Sequence, residues 1–146
     1  MKRSWFLWVI PLLGAATAAY ADNGRIVKMR DLPEPAREFV GNLYANTRVE
    51  TITEEREAGM RTYEVAFADG ASVEFDAAGR WMEIDGNRSA LSPAVIPAAI
   101  LGDIYRNFPG RSVVRIERER NGFEVELDNG TELEYNRRYR LINVGR

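Results

Sequence analysis

The chemistry open to this chain is that of carboxylates, guanidinium groups and aromatic rings. Its 146 residues include 22 Asp and Glu, 20 Lys and Arg, and neither His nor Cys. That removes thiolate nucleophiles, disulfides, imidazole or thiolate metal ligation and the usual general base near neutral pH. The net charge of −2 supplies no overall positive field for a nucleic-acid backbone. Carboxylates recur at alternate positions, as Glu64, Glu74, Asp76, Glu124, Glu126, Glu132 and Glu134. Paired carboxylates can perform glycosidase-type acid and base work, but an open sheet face offers no pocket to raise one of them. Asp69, Asp76, Asp128 and Asn136 do not form the 12-residue calcium-loop pattern, and turn chemistry explains them. Neither an enzyme nor a metal or other cofactor is expected. What remains is recognition, through the carboxylates Glu64, Glu74, Glu124, Glu126 and Glu134 and through Arg118.

The elements that carry these residues read as two copies of one pattern. At an offset of 64, Leu32 and Pro33 match Ile96 and Pro97, and Ile52, Glu55 and Arg56 match Ile116, Glu119 and Arg120. At an offset of 60, Tyr63 to Asp76 match Phe123 to Asn136, and Arg80 and Trp81 match Arg140 and Leu141. The four extra residues of the first copy, Glu57 to Met60, are expected to lengthen a hairpin loop. Each copy opens on an apolar stripe at helical spacing (Ala36, Phe39, Val40, Leu43; Ile100, Leu101, Ile104, Phe108) behind a proline suited to a first turn. The period then switches to two. Asp69-Gly70 and Asn129-Gly130 predict two-residue hairpin turns. Tyr139 stands where the first copy has Gly79, which predicts a last turn of different shape.

The expected fold is therefore α+β: two tandem helix-plus-four-strand repeats, about 27–85 and 94–145, forming an antiparallel sheet with both helices on one face. Tyr63, Phe75, Trp81, Phe123 and Tyr135 are read as core. The opposite face is acidic in its middle, flanked by arginines such as Arg56, Arg61, Arg80, Arg115 and Arg118. It is either a solvated surface with weak cross-strand ion pairs or a docking surface for a protein partner.

The hairpin "YEVAFADGASVEFDAAGRW" and its echo "FEVELDNGTELEYNRRYRL" resemble the PepSY-like family of small bacterial periplasmic proteins, with a beta-lactamase-inhibitor-like repeat fold, over about residues 27–145. The resemblance implies an inhibitor, propeptide-like or sensor-like role and supplies no reaction.

Lys2 and Arg3 precede an apolar run from Trp5 to Leu13, followed by small residues and Ala19-Tyr20-Ala21. This predicts a signal peptide over 1–21, cleaved after Ala21, with 22–146 forming one domain in the periplasm or outside the cell and no membrane anchor. Loss of Lys2 and Arg3 leaves 18 basic and 22 acidic residues, a net charge of −4. The functional expectation is a non-catalytic exported binding or inhibitor-like module that docks another envelope protein through its polar sheet face. The alternative is a small-ligand-binding or structural periplasmic protein with no protein client.

Overall fold

The computed structural model describes residues 24–146; the expected leader and its cleavage point lie outside the described residues. Nine strands, β1 (Gly24–Ile26), β2 (Val49–Glu57), β3 (Met60–Phe67), β4 (Ser72–Asp76), β5 (Trp81–Asp85), β6 (Val113–Glu119), β7 (Gly122–Leu127), β8 (Glu132–Asn136) and β9 (Leu141–Gly145), form one antiparallel sheet in sequence order. Helix α1 (Glu34–Leu43) lies between β1 and β2, and α2 (Ala98–Asn107) between β5 and β6.

This corrects the expectation of two tandem helix-plus-four-strand repeats: the described chain is a single open nine-stranded sheet carrying just two helices. Two separate units would each leave edge strands with unpaired N–H and C=O groups. Here β5 pairs with β6 through Glu83↔Glu117, Ile84↔Ile116 and Asp85↔Arg115, so no edge exists at the middle. A further strand, β1, which no sequence pattern announced, covers the outer side of β2.

The core lies on one face of the sheet. Val65, Val73, Ile84, Ile116, Val125 and Leu133, one from each of six neighbouring strands, are wholly buried. Alternation along the strands turns all of them toward the helices. Phe39 of α1 meets Phe75 edge-on at 5.6 Å, Tyr44 stacks on Phe67 at 4.3 Å, and the Tyr135 hydroxyl donates to Asp103 of α2 at 2.8 Å. The aromatic residues read as core are buried, Trp81 among them.

The hairpins differ from expectation in a way that matters for function. The turns at 68–70 and 128–130 contain three residues, not two: Phe67 N–H donates to the Ala71 carbonyl and Leu127 N–H to that of Thr131. Positive φ is therefore needed only at Gly70 and Gly130, because Asp69 and Asn129 brace the turn by accepting from Ala71 and Thr131 N–H groups. The turns 77–79 and 137–139 close in the same way, with Gly79 at φ 85° and Tyr139 at φ 60°. Tyr139 thus adopts the glycine conformation, and no change of turn shape occurs. The extra residues at Glu57 to Met60 do not form a long loop. They extend β2 and β3, which close through Ala58 and Gly59 alone, both at positive φ.

Candidate functional site

The face away from the helices carries a row of directly opposed residues, one from each strand. Through the strand registers Thr53 faces Glu64, Glu64 faces Glu74, Glu74 faces Glu83, Glu83 faces Glu117, Glu117 faces Glu124, Glu124 faces Glu134, and Glu134 faces Asn143. Six glutamates therefore stand side by side on six adjacent strands. Side chains opposed in this way lie about 5 Å apart, and like charges so placed repel. Glu126 and Glu132 oppose each other in the next row, where Glu126 also faces Arg115.

Among the described residues, Arg115 is the cation that answers this row. Its Nε donates to Glu83 and its Nη2 to Glu117, each at 2.8 Å, and Nη1 lies 3.7 Å from Glu124. Its side chain is 12% exposed. One guanidinium among Glu64, Glu74, Glu83, Glu117 and Glu124 leaves these five carboxylates under-neutralised. Desolvation, followed by repulsion from Glu83, Glu64 and Glu55, pushes Glu74 up to about 7. Glu117 rises to about 7 by desolvation, although Arg115 pulls it back. Glu124 also rises to about 7, through desolvation and then a hydrogen bond with the Glu119 carboxyl. Glu64, the most exposed of the row, is raised by desolvation and by Glu55, Glu83 and Asp85. The expectation that an open face cannot raise a carboxylate therefore fails: close ranks of glutamate on a flat sheet desolvate one another without a pocket.

The structure brings Glu64, Glu74, Glu124 and Glu134 into this row and Glu126 beside it. Arg118 does not join them. It opposes Phe123 in the β6–β7 register, on the helix face, with its guanidinium 4.0 Å from the centre of the Trp81 ring. Other described arginines are engaged elsewhere. Arg56, Arg61 and Arg25 surround Glu54 at 3.1, 3.8 and 3.2 Å. Arg80 pairs with Asp76 within its own turn. Burial alone would raise Glu54, but the donors from Arg25 and Arg56 and the nearby Arg61 lower it. It is a neutralised structural ion cluster. No group of three or more described Asp or Glu side chains is arranged to hold a metal ion.

Residues 61–143, more than half of the chain, match the family described as "Putative beta-lactamase-inhibitor-like, PepSY-like". The chain belongs to the PepSY-like family. Solved structures agree with this over most of the chain. A protein from Bacteroides thetaiotaomicron described as "a putative calcium-regulated periplasmic protein" is 32% identical with a TM-score of 0.81, covering 84% of this chain and 97% of its own. A periplasmic protein from Bacteroides vulgatus is 29% identical with a TM-score of 0.83, covering 87% and 100%. A second protein from that organism, described as of unknown function, is 31% identical with a TM-score of 0.80, covering 85% and 100%. No curated protein matches the chain. No described helix of this PepSY-like protein is long and apolar enough to cross a membrane.

Two members of the site, Glu83 and Glu117, escaped sequence reasoning, and the sequence presents Arg115 as one of several flanking arginines and not as the centre of the row. Glu83 was masked because a bulge between Glu74 and Phe75 in the β4–β5 pairing breaks the alternation at Trp81-Met82. Glu117 and Arg115 lie in the alternating run Val113–Glu119. Their place in the row depends on the β5–β6 pairing, which no local pattern announces.

Proposed function

We propose that this PepSY-like protein is a non-catalytic exported module that docks a basic surface of another envelope protein through its glutamate row. The observation that carries the reading is the row itself: six directly opposed glutamates on six adjacent strands. A surface that holds carboxyls near half-ionisation at neutral pH gains free energy when a cationic partner lets them ionise fully. Export is supported by the basic, apolar and small-residue order of residues 1–21 and by the periplasmic descriptions of the similar structures. One of those relatives is described as calcium-regulated. On this chain the carboxylates would have to regroup to enclose such an ion, so the reading rests on the extended charge and not on a metal.

Site-specific photo-crosslinking in the native envelope tests it. A photoreactive residue at Thr62 or Ser72, beside the row, is expected to capture a protein through a basic segment, and one at Tyr105 on α2 is expected to capture none. The combined change Glu64→Gln, Glu74→Gln and Glu126→Gln should reduce capture about tenfold, and salt should weaken it. The exported protein itself should begin at Asp22 by intact mass. Capture that survives the triple change, or that arises equally from Tyr105, would overturn the docking face.

A further inference from the structure

On the helix side of the sheet, the turns after β4, β6 and β8 converge on an open pocket of about 470 Å³, within the range that holds small organic ligands. Its wall is Arg118, whose guanidinium carbon lies over Trp81, 4.0 Å from the ring centre, and 5.7 Å from the centre of the Phe123 ring. None of its N–H groups is bonded to a described residue, and Nε is shut away from solvent with no partner. Buried donors in folded proteins are nearly always satisfied, so a guanidinium left unpaired between rings is poised for something outside the chain.

The other charges at the pocket do not answer it. Asp76 is occupied within its turn, accepting from the backbone N–H groups of Ala78 and Arg80 and from Arg80 Nε. The Glu119 carboxyl lies close enough to Glu124 to favour its protonated form. Arg137 gives Nε and Nη2 to the Arg120 carbonyl, which fixes a second guanidinium without neutralising it. An independent feature sits opposite. Tyr139 stacks on Phe123 at 5.4 Å while holding φ at 60°, where the matching turns use Gly70, Gly79 and Gly130. A tyrosine there carries backbone strain that glycine would not. Its exposed ring closes the pocket.

We propose that this pocket binds a small oxyanion, carboxylate or phosphate, borne on a planar apolar group. The anion pairs with Arg118 and with the neighbouring arginines, and the planar part lies against Tyr139. Guanidinium forks match both oxyanions and stacking on a ring pre-orients the fork. The site is on the face opposite the glutamate row and stands or falls independently of the docking function.

Titration of the ¹⁵N-labelled full chain with benzoate, phenyl phosphate and neutral benzamide, followed by NMR, decides it. Benzoate or phenyl phosphate is expected to shift the Arg118 Nε–H and Trp81 indole N–H signals, with benzamide about tenfold weaker. A preference between the two anions tells carboxylate from phosphate, and either preference supports the site. Tyr139→Gly should weaken binding several-fold without lowering thermal stability, a combination that a structural role for the ring would not produce. Arg118→Met should weaken it about tenfold; if that variant does not fold, the benzamide comparison still decides. Benzamide binding as tightly as benzoate, or no shift by either anion at about 10 mM, would overturn the proposal.

Discussion

Arg115 carries one positive charge among three carboxylates, and its 12% exposure puts it in the class of ion pairs whose disruption is expensive because charges are stranded. Replacing it with Met preserves length and apolar stem but leaves Glu83 and Glu117 without the bonds they accept at 2.8 Å. Arg115→Met is expected to cost about 3 kcal/mol at pH 8. The cost should shrink sharply at pH 5, where Glu117 and Glu124 hold protons. Adding Glu83→Gln should restore part of the loss. Urea unfolding of the single and double variants at both pH values checks this, and an equal cost at pH 5 and pH 8 would mean that Arg115 acts through packing alone. Glu54 is the contrasting case on the helix side, where three arginines surround one carboxylate. Its charge is already matched, so it offers a partner nothing to neutralise.

At the scale of elements, the three-residue turns tie the sheet to its helices. A Cβ on Gly79 would lie 2.9 Å from Pro33 Cβ and 3.0 Å from the Ala36 nitrogen, at the start of α1, whereas one on Gly130 would meet nothing. Both glycines hold φ near 85°. Gly130→Ala should therefore cost about 1 kcal/mol from backbone conformation alone, and Gly79→Ala roughly 1–2 kcal/mol more from the clash with α1. Equal losses in chemical denaturation would show that the first turn of α1 yields freely. These turns also mark where sequence reading succeeded and failed. The alternation of Tyr63, Val65 and Phe67 and the Asp69-Gly70 and Asn129-Gly130 pairs located the hairpins and the acidic face, because period and turn residues are local properties. The three-residue length was not visible, since it depends on Asp69 and Asn129 bracing the backbone. β1, the β5–β6 seam and the place of Glu83 are pairing facts set by distant segments, and no local pattern encodes them, whereas the helix-side position of Arg118 was legible, two residues beyond Ile116 on the same strand face.

For the whole molecule, the two faces of the sheet give opposite responses to pH, and their balance fixes where stability peaks. Glu74, Glu117 and Glu124 stand at about 7 in the folded chain, against about 4.3 for an unfolded glutamate. Between those values the folded chain holds more protons than the unfolded one, so stability falls as pH rises through that window. Glu54 has the reverse sign. Its folded value is lowered, so its contribution is present above the ordinary carboxylate range and is lost as pH falls through it. Stability should peak near pH 5 and decline toward pH 8 by on the order of 2 kcal/mol, after allowance for screening of the half-exposed groups and for their shared neighbours. Urea midpoints measured from pH 4 to pH 9 check this, and Glu74→Gln should both flatten the decline and raise the midpoint at pH 8. The same titration couples to the proposed docking, because a basic partner binds the ionised row. Affinity for the crosslinked partner should weaken as pH falls from 8 to 6 while the fold itself grows more stable, and that divergence separates loss of surface charge from loss of structure. A partner affinity that follows stability instead would move the contact away from the glutamate row.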